Sequence, residues 1–207
     1  WTMEDTLSEI REGGRYIKNP SVFRKEITAD GSSGFKAESG RYHLYVSTSC
    51  PWAHRTMIVR RMKGLESAIS VTQSDGPRTR SWSFTRGIDA LQPTNGLLEL
   101  YEVYQAADPK YTGRVTVPTL WDRKKKAIVN NESAEIIRML NTEFADLSDN
   151  PFDLYPAPLR AQIDAQEHIV AVETRLFDTL QKQLALGYVR GLDVAAARTQ
   201  LAQAEQA

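Results

Sequence analysis

One cysteine, Cys50, stands in 207 residues, so an intramolecular disulfide is impossible and a cysteine-based zinc site lacks the ligands it needs. No charge of either sign is in excess. The 26 Lys and Arg balance the 26 Asp and Glu, which gives no ground for a nucleic-acid partner or an anionic membrane surface. Apolar runs long enough to span a bilayer are missing. The start lacks the charged-then-apolar pattern of a signal peptide. It opens on Trp1 rather than methionine, so the true start is expected upstream. Internal repeats are absent, and low complexity is confined to an alanine-rich ending. What is present is 41% hydrophobic and 9% aromatic residues, enough for a packed core in one large or two small domains. A lone thiol suits a reducing cytoplasm.

Residues 1–40 read as an irregular extension dominated by glycine and polar residues. Tyr42 to Val46 reads as a strand. Ser47-Thr48-Ser49 and then Cys50-Pro51 carry helix-start signals, with proline at the first helical position. That helix is expected to run to about Lys63, with Met57, Ile58, Met62 and Leu65 as its apolar positions, and to stop at Gly64. Ile69 to Val71 reads as a second strand, completing a βαβ unit. Residues 72–95 read as polar loop. A helix is expected from about Gly96 to Ala107, and a strand from Val115 to Trp121 entered through Pro118. A charged turn, Asp122 to Lys126, leads back into Ala127 to Val129 as a hairpin. Asn130 to Ser133 opens a further helix. Asp146 to Pro158 holds three prolines and reads as a linker. Beyond it Leu159, Ile163, Val170, Phe177, Leu180 and Leu184 recur at helical spacing, and Ala195 to Ala207 reads as helix.

A cysteine at a helix N-terminus meets free N–H groups and partial positive charge, which favour thiolate over thiol. The ordinary value of about 8.5 falls to roughly 3.5–7.5 in such places. His54 and Arg55, on the first turns, could add positive charge. A buried, inert thiol is the bland alternative, and the helix-start context argues against it. His54 otherwise reads as a surface or packing residue, and Trp52 as packing more than substrate contact, with room for both. Ala53 stands where a C-x-x-C motif would have its second cysteine. A mixed disulfide at Cys50 must therefore be resolved by an outside thiol, and glutathione is the obvious cytosolic candidate.

Gly40-Arg41-Tyr42-His43-Leu44-Tyr45-Val46, Cys50-Pro51-Trp52-Ala53-His54-Arg55-Thr56, Gly113 to Pro118 and Asn131 to Arg138 resemble the glutathionyl-hydroquinone reductases, also called Xi-class glutathione transferases. Thr28-Ala29-Asp30-Gly31 resembles the N-terminal extension of that family. The resemblance covers about residues 10 to 165. It implies an α/β thioredoxin-like N-terminal domain plus an all-α C-terminal domain, the glutathione transferase architecture with a shortened C-terminal part. The expected divisions are 1–40 extension, 41–145 glutathione-binding domain, 146–158 linker and 159–207 partial helical domain.

The resemblance also implies a reaction. The Cys50 thiolate attacks the sulfur of a glutathionyl-hydroquinone, releases the hydroquinone and is left as a mixed disulfide. A second glutathione frees it as oxidised glutathione. Val117-Pro118 is expected to be cis, with the Val117 backbone pairing with the glutathione cysteinyl backbone. Ser133 would hold the γ-glutamyl carboxylate and Glu132 its ammonium. From the residues alone, Asn131 to Ser133 also suits ordinary N-capping. Trp82 would lie over the glutathione, or be a packing plug. Arg114 would pair with the glycyl carboxylate, or be a solvated surface charge. Tyr188 would serve as the catalytic tyrosine. No metal is implied. A homodimer is expected if the C-terminal domain is complete. Two alternatives share the site: an omega-like thioltransferase or dehydroascorbate reductase, and a non-catalytic glutathione-binding module.

Overall fold

All five residues of Tyr42–Val46 are buried, as a central strand covered on both faces requires. This is β1 in a computed structural model that describes residues 21–77, 81–87, 91, 98–186 and 191–206. Helix α1 follows at Pro51–Met62, then β2 at Ile69–Gln73. Next come β3 at Ser83–Phe84, β4 at Leu98–Glu99 and α2 at Leu100–Ala107. Strands β5 (Thr119–Asp122) and β6 (Ala127–Asn130) lead into α3 (Ser133–Thr142). The main sheet has the order β2-β1-β5-β6, parallel between β1 and β2 and antiparallel elsewhere. A βαβ unit and a ββα unit thus share one sheet, the thioredoxin-like arrangement. Helices α4 (Arg160–Ala185) and α5 (Gly191–Gln206) pack on each other in a second compact unit, the division falling between Asp153 and Leu154. Among the described residues no helix is long and apolar enough to cross a membrane.

The first core is built on β1. Tyr42 meets Phe144 edge-on at 5.8 Å, and Tyr45 meets Phe84 at 5.2 Å. The buried positions of α1 are Ala53, Thr56 and Val59, a three-residue step that keeps one narrow stripe inward. Thr56 tolerates this because its hydroxyl donates to the Ala53 carbonyl at 2.7 Å. The apolar residues of the sequence pattern divide differently: Leu65 is fully buried, but Ile58 and Met62 are 47% and 43% exposed. Apolarity alone points to the wrong face of this helix. Gly64 ends it at φ 63°, where an added Cβ would sit 2.9 Å from Asp149 Cβ.

Other boundaries also differ from the expected ones. Helix α2 begins at Leu100 rather than near Gly96, because Leu98 and Glu99 pair with β3; residues 92–97 lie outside the described set. The supposed loop 72–95 therefore holds a strand, and β2 reaches Gln73. Val115 to Pro118 precedes β5 without joining the ladder. Thr116 instead exchanges backbone bonds with the Tyr104 hydroxyl, which donates to its carbonyl at 3.1 Å and accepts its N–H at 3.3 Å. In the second unit the helix expected from Ala195 begins at Gly191.

Residues 21–40 are irregular but anchored. Isolated bridges join Arg24 to Asn130 and Thr28 to Lys36, and Ile27 and Phe35 are buried. Arg24 and Glu135 form an ion pair.

Candidate active site

Cys50 is the N-cap of α1, extended at φ −103° and ψ 113°, with Pro51 in the first helical position and no acidic residue in the first turn. Its sulfur is held beside Val117, whose carbonyl lies 3.5 Å from Sγ. The Val117-Pro118 peptide is cis, as expected. Cys50 is only 9% exposed, but it is not sealed in an apolar interior. It lines a cavity of about 260 Å³ together with Trp52, Trp82, Arg114, Val117 and Ser133. Residues from the start of α1, the loop before β3, the segment before β5 and the start of α3 thus converge on one thiol.

A buried polar network fixes the Val117 segment from behind. Asn131, also in the cavity wall, donates through Nδ2 to the Tyr104 hydroxyl at 3.0 Å and to Thr116 Oγ1 at 3.3 Å. The Thr119 hydroxyl donates to the Thr116 carbonyl at 2.7 Å. Tyr104→Phe would strip the half-buried N–H of Thr116 and the buried side-chain amide of Asn131 of an acceptor. It is expected to cost about 1–3 kcal/mol in urea unfolding. A loss below about 0.5 kcal/mol would show that the network carries little stability.

The predicted site residues fall into place unequally. Cys50, Trp82, Arg114, Val117 and Ser133 meet at the cavity. Glu132 does not line it; its carboxylate faces Arg55 at 3.9 Å and accepts from the Ser21 hydroxyl at 2.9 Å. Tyr188 lies outside the described residues. His54 is exposed on the helix surface. Trp52 is 41% exposed and lines the cavity, where substrate contact is open to it. Arg55 departs from its assignment. Its Nε and Nη2 donate to Ser133 Oγ at 3.0 and 2.7 Å, so the guanidinium serves α3 rather than the cysteine. Sequence reasoning gave Tyr104, Thr116 and Arg55 no such roles, because their partners are distant in the chain. Among the described residues no three His, Cys, Asp or Glu side chains gather as a metal site.

A thioredoxin-like sheet with a cysteine-led helix, followed by a helical unit, is the glutathione transferase design. The family described as "Glutathione S-transferase, N-terminal domain" matches residues 49–143, the stretch that contributes nearly the whole cavity wall. Glutathionyl-hydroquinone reductase PcpF of Sphingobium chlorophenolicum is 46% identical over 170 residues, 81% of this chain and 51% of the relative. Glutathionyl-hydroquinone reductase YqjG of Escherichia coli is 48% identical over 175 residues, 79% of this chain and 52% of the relative. The glutathione-bound structure of YqjG superposes with a TM-score of 0.66 at 38% identity, covering 89% of this chain and 62% of that one. The glutathione-S-transferase Xi from Phanerochaete chrysosporium gives 0.67 at 39% identity, covering 91% and 64%. The chain belongs to the Xi class of glutathione transferases, the glutathionyl-hydroquinone reductase family. It spans about half the length of the curated relatives it matches.

Proposed function

We propose that this chain carries out the thiol chemistry of a glutathionyl-hydroquinone reductase. The observation that carries the reading is Cys50 Sγ at the N-terminus of α1, in the wall of a cavity whose other side is the Val117 backbone and the start of α3. In the first step the Cys50 thiolate attacks the glutathione sulfur of the substrate. A sulfur–sulfur bond forms, the carbon–sulfur bond breaks, and the ring carbon takes the electron pair and a proton. The two sulfurs are oxidised to a disulfide and the ring is reduced. In the second step the thiolate of another glutathione attacks the mixed disulfide and releases oxidised glutathione and free Cys50. No second cysteine exists in the chain to do this internally.

Glutathione is then the co-substrate and a glutathionylated quinone or hydroquinone the partner. The Val117 backbone, Ser133, Arg114 and Trp82 form its binding wall, Glu132 stands by for the ammonium, and Tyr188 is the proton-donor candidate. The same reading puts the chemistry in the reducing cytoplasm and carries homodimerisation with it where the C-terminal domain is complete. Mixing the protein with glutathionyl-menadione and measuring intact mass tests the proposal. The expected result is one glutathione added at Cys50 with release of menadiol. A glutathione adduct that forms only from disulfide substrates, with no menadiol, would favour the thioltransferase alternative. Binding of glutathione with no adduct at all would favour the non-catalytic one.

Trp52 gives a further expectation. Its indole offers an aromatic face to the ring of the substrate, so Trp52→Ala is expected to raise KM for glutathionyl-menadione roughly threefold to tenfold. Affinity for glutathione itself should stay within about twofold by calorimetry, since the stacking at issue is with the ring.

A further inference from the structure

Ser133 is the first residue of α3, 1% exposed, and in the cavity wall. Its hydroxyl oxygen accepts two hydrogen bonds from a single guanidinium, Arg55 Nε at 3.0 Å and Nη2 at 2.7 Å. A hydroxyl oxygen has two lone pairs, and both are taken. All it has left to offer is its hydrogen, and among the described residues no acceptor meets it. The cavity is the side that remains.

We infer that Arg55 is a positioning residue that makes Ser133 an obligate hydrogen-bond donor into the cavity, so that the site prefers the charged oxygen of a carboxylate there over the neutral carbonyl oxygen of an amide. The inference rests on the reading of this cavity as a glutathione site, and it concerns the γ-glutamyl end. An unconstrained serine rotates and serves donors and acceptors alike. With its lone pairs occupied it can repay only an acceptor, and a charged acceptor most. Arg55 suits the task because its fork is planar, always charged, and presents two donors at one spacing. Glu132 Oε1, 3.9 Å from Nη2, steadies that end of the fork and offsets its charge. The selectivity therefore comes from oriented hydrogen bonding more than from net positive charge. Arg55 spans from α1, which carries the nucleophile, to α3, which carries the recognition group, so the two ends of the site are set by one side chain.

The test compares glutathione with its analogue in which the γ-glutamyl α-carboxylate is a primary amide, by calorimetry on the full chain. Wild type is expected to prefer the acid by about tenfold, the margin of a hydrogen bond to a charged oxygen over one to a neutral amide oxygen. Arg55→Gln and Ser133→Ala should each bring that ratio to within about threefold, and combining them should lower it no further. Arg55→Lys keeps the charge but cannot seat two coplanar donors on one oxygen, so it should also lose most of the ratio. It carries the test if Arg55→Gln does not fold. A merely structural Arg55 would lower the melting temperature and both affinities together, with the acid-to-amide ratio unchanged, and that result overturns the inference while sparing the glutathione reading. Binding of neither peptide by the folded wild type overturns both.

Discussion

Cys50→Ser is expected to lower kcat/KM for glutathionyl-menadione by at least about three orders of magnitude, the scale on which loss of a catalytic nucleophile is felt. The loss should be this complete because the sequence holds no other thiol, and a hydroxyl cannot form the disulfide on which both half-reactions turn. The same variant should fold and bind glutathione with an affinity within about threefold of wild type, since among the described residues the one hydrogen-bond partner of Sγ is the Val117 carbonyl at 3.5 Å, well short of a strong hydrogen bond. The exchange of sulfur for oxygen leaves α1, the Val117 segment and the start of α3 untouched. Single-turnover release of menadiol, read beside calorimetric titration with glutathione, separates the two effects. A variant that still releases menadiol at a tenth of the wild-type rate would place the nucleophile elsewhere.

Local signals made much of this architecture legible. Tyr42 to Val46, the Cys-Pro helix start, the turn between β5 and β6 and the stop at Gly64 each depend on neighbours within a few residues, and the structure has them where the pattern puts them. The thiol could be singled out for the same reason, because its setting is a helix terminus three residues long. What stayed hidden is set by partners far along the chain. The inward face of α1 is decided by the sheet it covers, which admits Ala53 and Thr56 and leaves Ile58 and Met62 in water. Arg55 reaches Ser133 78 residues on, and no local pattern names that partner. The extension looks structureless because its order is borrowed: Lys25 donates to the Val129 carbonyl at 3.0 Å, and Asn131 donates to the Phe23 carbonyl at 3.0 Å. Trp52 reads as packing first and substrate contact second, and the structure has it 41% exposed in the cavity wall.

The largest stability effect is expected from a residue remote from the thiol. Asp122, fully buried at the end of β5, accepts from Arg41 Nε at 3.0 Å and Nη2 at 2.6 Å through Oδ2. Its other oxygen accepts the N–H groups of Lys124 and Lys125 at 2.9 and 3.1 Å and so shapes the β5–β6 turn. Arg41, 8% exposed, lies over the Tyr42 ring at 5.2 Å and accepts the Arg123 N–H at its carbonyl at 3.0 Å. Asp122→Ala leaves a buried guanidinium with only the more exposed Glu38, 3.5 Å from Nη1, as counter-charge, and two turn N–H groups without an acceptor. Removing one partner of such a pair costs about 3–5 kcal/mol, roughly a 10 °C fall in melting temperature for a chain of this size. Asp122→Asn keeps an acceptor for the turn and should lose less, which separates the charge from the turn. Arg41→Ala should also destabilise, and the double variant should lose clearly less than the sum of the two, because each single change already breaks the same pair. Additive losses in urea unfolding would mean that the two side chains stabilise the end of the β1–β5 pair independently, and that their bond is incidental to it.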